Sequence, residues 1–237
     1  MSGAPKALLF DVFGTCVDWR SGVAREVAAL ASHLGRADID PEAVADAWRA
    51  RYQPQMETVR SGARPWADLD VLHREALDEV LAEAGFDEVP PDARDELTLA
   101  WHRLDPWPDT VPGLLRLKAV AVVAPHSNGH VALLLAMARR AGLPWDLILG
   151  AETAGAYKPE PRSYLRNLEL LRLRPGDAMM VAAHNGDLSA AAALGMRTAF
   201  VRRPAEHGPG QTTDLEPEGP WDVVAQDIVD LAAQLGA

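Results

Sequence analysis

Short apolar runs alternate with longer stretches of helical periodicity along this chain. Lys6 to Phe13 reads KALLFDVF and runs into Gly14-Thr15. A run this short and this uniformly apolar suits a buried strand rather than a helix, and it places Asp11 near the strand's carboxyl end. Comparable runs recur at Lys118 to Pro125 (KAVAVVAP), Leu147 to Gly150 (LILG), Met179 to Ala183 (MMVAA) and Thr198 to Val201 (TAFV). Helical stretches such as Gly129 to Ala141 and Leu188 to Leu194 separate them. Strand alternating with helix predicts an α/β fold with a parallel sheet covered on both faces.

Between the first run and the second, strand signals almost vanish and helical patterns take over, at Gly22 to Leu34, Pro41 to Arg60, Trp66 to Ala84 and Pro91 to Leu104. Asp40-Pro41 and Pro90-Pro91 supply the starts expected at a first helical turn. The pattern predicts a helical domain over residues 18–105 inserted into a core formed by residues 1–17 and 106–237. Asp105-Pro-Trp-Pro-Asp109 reads as the return hinge, because two prolines oppose helix continuation. Ala205 to Pro220, rich in Gly, Pro and polar residues, reads as a loop near the final strand and helix, with no function legible in it.

Composition narrows the function classes. A chain of 237 residues with 48% apolar and 24% charged residues is an ordinary globular one,. A net charge of −11 argues against a surface built for nucleic acid, whose phosphates demand clustered Lys and Arg,. The one cysteine, Cys16, cannot close an intramolecular disulfide and reads as packing,. MSGAPKALLFDV lacks the long apolar core of a signal peptide, and no apolar run reaches the roughly 18 residues of a membrane span. A cytoplasmic enzyme with no membrane partner is the expectation.

In an open parallel sheet, ligands bind beyond the carboxyl ends of the strands. Four expected strand ends carry polar groups: Asp11 with Thr15; Ser127 with Asn128; Tyr157 with Lys158; and His184 with Asn185 and Asp187. A carboxylate, a hydroxyl, an amide, a lysine and a second acid at one rim are what covalent hydrolysis by a carboxylate requires. Each also has a structural reading. Asp11 and Asp187 could be turn or helix caps, Ser127-Asn128-Gly129 simple turn chemistry, and Lys158 a solvated loop residue. His126 reads as a neighbour rather than a catalyst, and the other histidines show no metal-ligand spacing.

Phe10-Asp11-Val12-Phe13-Gly14-Thr15, His126-Ser127-Asn128-Gly129, Tyr157-Lys158-Pro159 and Val181 to Asp187 resemble, in order and approximate spacing, the four motifs of the haloacid dehalogenase superfamily. The resemblance implies a Rossmann-like core with a helical cap. Phosphatase members of that family carry a second Asp where this chain has Phe13, and often a magnesium-binding acid where it has Ala183. Both absences, together with Trp48-Arg49 in the expected cap, resemble the type II 2-haloacid dehalogenases, which implies hydrolysis of short 2-haloalkanoic acids without metal or cofactor.

On that resemblance Asp11 attacks the halogen-bearing carbon and water then hydrolyses the ester. Lys158 keeps Asp11 ionised and Thr15 orients it. Ser127 and Asn128, with nearby helix-start amides, hold the substrate carboxylate, and Arg49 meets the halide. Asp187 helps to activate water through His184. Phe13, Tyr157, His184 and Asn185 complete the substrate and halide contacts. The chain departs from the family's Ser-Ser-Asn at Ala182-Ala183-His184, so the water-activating group and the halide range are open. His184 with Trp101 or Trp107 is expected to line a halide pocket that extends to fluoride. A homodimer is the assembly the resemblance allows. The competing readings are a magnesium-dependent phosphatase for a small metabolite and a catalytically silent binding protein.

Overall fold

The computed structural model describes residues 4–237. In chain order the elements are β1 (Ala7–Phe10), β2 (Val17–Asp18), α1 (Trp19–His33), α2 (Pro41–Arg60), α3 (Leu69–Glu83), α4 (Pro91–Thr98), β3 (Asp105–Pro106), α5 (Thr110–Leu117), β4 (Val122–Ser127), α6 (Val131–Ala141), β5 (Leu149–Gly150), α7 (Ala151–Ala154), α8 (Pro161–Leu170), β6 (Ala178–Ala182), α9 (Asn185–Ala193), β7 (Arg197–Val201), β8 (Val223–Ala225) and α10 (Ile228–Gln234). The chain forms two compact units, one running up to Asp18 and again over Asp105–Ala237, the other Trp19–Leu104.

The first unit is built on a six-stranded parallel sheet in the order β5-β4-β1-β6-β7-β8. β1 lies between β4 and β6, with Ala7 level with both Val122 and Ala178. All four of its residues are buried, which is why it reads as unbroken apolar sequence instead of alternating. Leu9, Ala124, Met180 and Phe200 pack with Tyr164, Leu168 and Leu188 into a shared core. Strand order diverges in opposite directions from β1, so its carboxyl end opens the crevice in which open α/β sheets bind ligands.

Three details differ from the sequence reading. β4 begins at Val122, because residues 118–121 wind down from α5, with Lys118 N donating to Leu114 O and Ala121 N to Leu117 O. Val120, before the strand, is exposed; its apolar character imitates strand interior. The strand instead runs on to Ser127 and delivers that residue to the rim. The segment after Leu104 is also more than a hinge: β3 pairs antiparallel with β2, Asp18 opposite Asp105. That ladder puts both aspartates in the sheet unit, each one residue across the expected boundary.

The second unit contains α1 to α4 and a 3-10 turn over Leu99–His102. Asp40 caps α2 by accepting from Glu42 N and Ala43 N, with Pro41 in the first turn,. Its interior holds a stack of rings: Trp101 lies 4.5 Å from His73, 5.5 Å from Trp48 and 6.3 Å from Trp19 between centroids. Trp101 is fully buried within it. Among the described residues, no helix is long and apolar enough to cross a membrane.

Candidate active site

Asp11 follows β1 directly and keeps one sheet bond, its N–H donating to Val181 O at 2.9 Å. The chain then turns sharply, Cys16 N donating back to Val12 O, with Gly14 at φ +84°. This is a backbone region that glycine enters without steric cost. The turn returns the Thr15 hydroxyl to Asp11 Oδ2 at 2.8 Å. Thr15 Oγ1 itself accepts Ala183 N–H at 2.9 Å, so the hydroxyl proton is directed at the carboxylate. Ala183 thus contributes its backbone where the family's hydroxyl or metal-binding acid would use a side chain.

On the other side of the carboxylate stands Lys158. Its backbone N–H donates to Asn128 Oδ1 at 2.8 Å, and its buried ammonium donates to Asp11 Oδ1 at 2.7 Å and to Asp187. Asp187 lies in the first turn of α9, where the helix amino terminus favours a carboxylate,, and also accepts the Tyr164 hydroxyl at 2.6 Å. The expected relay from Asp187 to His184 is absent. His184 Nδ1 lies 3.1 Å from Asp11 Oδ2, and its Nε2 lies 2.9 Å from Glu206 Oε2. His184 stands at the N-cap position of α9, but its ring makes no cap hydrogen bond there; both ring nitrogens are engaged by Asp11 and Glu206.

These contacts set the protonation states. Burial alone would raise the Asp11 carboxyl, but the Lys158 charge and then the His184 ring outweigh it and hold the group well below the ordinary carboxylate range,. Burial works against the Lys158 ammonium, yet Asp11 and Asp187 raise it above an ordinary lysine. Asp187 is raised, chiefly by burial, with Lys158 opposing and Asp11 adding to the rise. Burial also disfavours a charged His184, but Glu206 and Asp11 lift it well above an ordinary histidine. Cys16 donates to Asp11 O at 3.3 Å, and burial pushes its thiol up, so it packs and does not attack,. His126 is pushed down to about 3 by burial and by Lys158.

The remaining expected residues take different parts. Ser127 and Asn128 are at the rim, Ser127 Oγ accepting Gly129 N–H at 3.1 Å. Val131 N–H at the start of α6 is already taken by Glu152 at 2.8 Å, so that amide does not serve a substrate. Phe13 and Tyr157 are buried beside the motif residues and supply apolar surface. Asn185 corrects the expectation of substrate contact. Its side-chain NH2 donates to Asp214 and to Glu216 O, and its Oδ1 accepts Glu218 N–H and Trp221 Nε1–H. A side chain with both polar ends committed pins residues 214–221 and has nothing to offer a ligand. Trp107 donates to Gly14 O at 2.7 Å, bracing the turn after Asp11. Arg49, in the helical unit, lies 4.1 Å over the Tyr52 ring and 5.3 Å over Trp19, its Nη1 buried without a hydrogen-bond partner.

Tyr164 and Glu206 belong to the site and are not singled out by sequence reasoning. Tyr164 carries no motif, and only its fit in α8 brings the hydroxyl to Asp187. Glu206 lies in the Gly/Pro-rich segment, where an acid reads as solvated, yet it is 1% exposed. As for metals, Phe13 and Ala183 offer no side-chain donor, and the two acids Asp11 and Asp187 share an ammonium. That set suits a bridging cation of lysine better than magnesium, which demands near-octahedral oxygen ligands.

Comparison with known proteins identifies the family. The model of the haloacid dehalogenase-like hydrolase family matches residues 5–195. The crystal structure of the defluorinating L-2-haloacid dehalogenase Rha0230 superposes with a TM-score of 0.96 at 54% identity, covering 98% of this chain and 96% of that one. That of the L-2-haloacid dehalogenase PA0810 gives 0.94 at 48% identity, covering 98% and 99%. (S)-2-haloacid dehalogenase 1 of Pseudomonas sp. (strain CBS-3) is 30% identical over 84% of this chain and 85% of its own length. Proteins named phosphoglycolate phosphatase match at 27–28% identity. With a family model spanning most of its length, this chain belongs to the haloacid dehalogenase-like hydrolases.

Proposed function

We propose that this chain hydrolyses short 2-haloalkanoic acids to 2-hydroxy acids, with Asp11 displacing halide from carbon and no metal taking part. The observation that carries the reading is the Asp11 carboxylate itself, ionised and held by Thr15, Lys158 and His184 at the sheet's switch point. A fixed carboxylate attacks a carbon without first shedding solvent or rotating into line. Ser127 and the amide of Asn128 are suited to the substrate carboxylate. On the family resemblance, Arg49 of the helical unit is the group that would meet the departing halide.

Displacement forms an ester between Asp11 and the substrate carbon, and halide leaves with the bonding electrons. Water then attacks the ester carbonyl, restoring Asp11 and freeing the hydroxy acid. One in-line displacement at carbon inverts it, so an S substrate gives an R product. The names of the relatives support S (L) selectivity, and that of Rha0230 supports fluoroacids as substrates. A homodimer rests on the family resemblance, and sedimentation measures it.

The test is halide release from chloroacetate, both enantiomers of 2-chloropropionate and fluoroacetate in excess chelator, with phosphoglycolate and magnesium assayed in parallel. Halide release that survives chelation and disappears in Asp11→Asn is expected. Phosphate release alone would move the assignment to a phosphatase, for which Phe13 and Ala183 leave no acid. Absence of fluoride release from any 2-fluoroacid would remove fluoride from the range.

A further inference from the structure

We propose that Glu206 and His184 form the base that hydrolyses the aspartyl ester, Glu206 holding the ring and His184 Nδ1 taking a proton from water. The proposal rests on the dehalogenase reading above. His184 bridges two carboxylates, with Nδ1 3.1 Å from Asp11 Oδ2 and Nε2 2.9 and 3.1 Å from the two oxygens of Glu206. A buried acid that holds one ring nitrogen as N–H leaves the other facing the reacting group as the proton acceptor. Here the face left over is the one toward Asp11, within one water molecule of the carbon to be attacked.

Glu206 is seated deliberately. Its N–H donates to Arg203 O at 3.3 Å, and the buried Arg203 forks onto Asp109 at 2.9 and 2.7 Å while donating to Thr15 O at 2.8 Å. The segment carrying the acid is thereby tied to the turn carrying the nucleophile. Gly14 completes the seat, since a Cβ there would stand 2.1 Å from Glu206 Oε1. His207 Nε2 lies 3.5 Å from the same oxygen. The competing base, Asp187, already accepts from Lys158 and from the Tyr164 hydroxyl.

Forming the ester separates the two candidates further. Asp11 loses its charge, so Lys158 turns its charge on Asp187 and weakens it as a base. The same event removes one of the two carboxylates that keep His184 protonated, and the ring releases its Nδ1 proton to solvent. Water then attacks the ester carbonyl carbon as one of its protons passes to Nδ1. The tetrahedral intermediate collapses by breaking the bond to the alkyl oxygen, which takes the second proton. Asp11 leaves ionised and His184 leaves as imidazolium, so each cycle releases one halide and one proton. Glu206 acts through the ring and is a positioning residue.

Rapid mixing of chloroacetate with the full chain, followed by intact-mass measurement, tests this. Glu206→Gln and His184→Asn should each release about one halide per site in a burst, accumulate the ester, and turn over about 10²-fold more slowly or worse. The effect should fall on kcat, and Glu206→Asp should recover part of it. Either folded variant decides the matter. A wild-type readout serves as well: ester decay should slow as the pH falls through titration of the ring against Glu206. Wild-type-like turnover without adduct, loss of the burst itself in a folded variant, or ester decay independent of pH would overturn the assignment. A wild type that releases no halide from any 2-haloacid would overturn the dehalogenase reading instead.

Discussion

Lys158 Nζ lies 2.7 Å from Asp11 Oδ1 and also binds Asp187, so one buried ammonium serves two carboxylates. Removing one member of a buried charge cluster leaves the others uncompensated, and the usual cost is roughly 3–5 kcal/mol. Lys158→Ala should lower the urea midpoint accordingly. Halide release should fall by about 10²–10³-fold or more, as when a preorganised charge donor is lost. Retained turnover would show that Asp11 does not need the lysine to stay ionised.

Gly14 and Glu206 are coupled through space. Gly14→Ala places a methyl group into the Glu206 carboxylate and holds a non-glycine residue at φ +84°. A loss of about 1–3 kcal/mol is expected. In a double-mutant cycle with Glu206→Ala the steric part should be relieved and the backbone part should persist. Strict additivity would mean that the two residues do not share that volume.

The pH dependence of stability has a definite sign. His184 is raised in the folded chain by Glu206 and Asp11 against the cost of burial. Its contribution is complete below about 6.5, the unfolded value, and is lost as pH rises through the higher folded value. Asp11 is lowered, so its contribution is complete above about 3.9 and is lost as pH falls,. Wild-type stability should therefore decline from neutral to alkaline pH, and His184→Gln should flatten that decline. Denaturant midpoints between pH 6 and 9 would check it, and an unchanged slope in the variant would contradict it.

Metal removal should leave the reaction intact. With Phe13 and Ala183 where family phosphatases place acids, dialysis against a chelator should not change the rate of halide release by more than experimental scatter. Added magnesium should not restore or raise it. A chelator-sensitive rate that magnesium rescues would require oxygen ligands that this site does not offer.

The parts of this architecture legible in the sequence are those set by local pattern. β1 reads as a strand because it is buried on both faces, and Asp11 and Asp187 stand out because each closely follows a strand run; Lys158 stands out by Tyr157-Lys158-Pro159, with α7 between it and β5. What stayed hidden depends on tertiary routing. Glu206 sits among Gly and Pro residues, and only the Arg203 fork on Asp109, set by a chain separation of 94 residues, turns it inward. Asn185 stands beside Asp187 in the motif but is consumed by the 214–221 segment, which no periodicity announces. The β2–β3 ladder is two residues long on each side, too short for alternation to show.

The most direct test of the central claim is a single turnover, with enzyme in excess over a 2-haloacid, in water labelled with heavy oxygen. If Asp11 forms an ester that water attacks at the carbonyl, the label enters the peptide containing Asp11 and the hydroxy acid emerges unlabelled. A labelled hydroxy acid with an unlabelled Asp11 would mean that water displaces halide directly, and the nucleophilic role of Asp11 would be wrong.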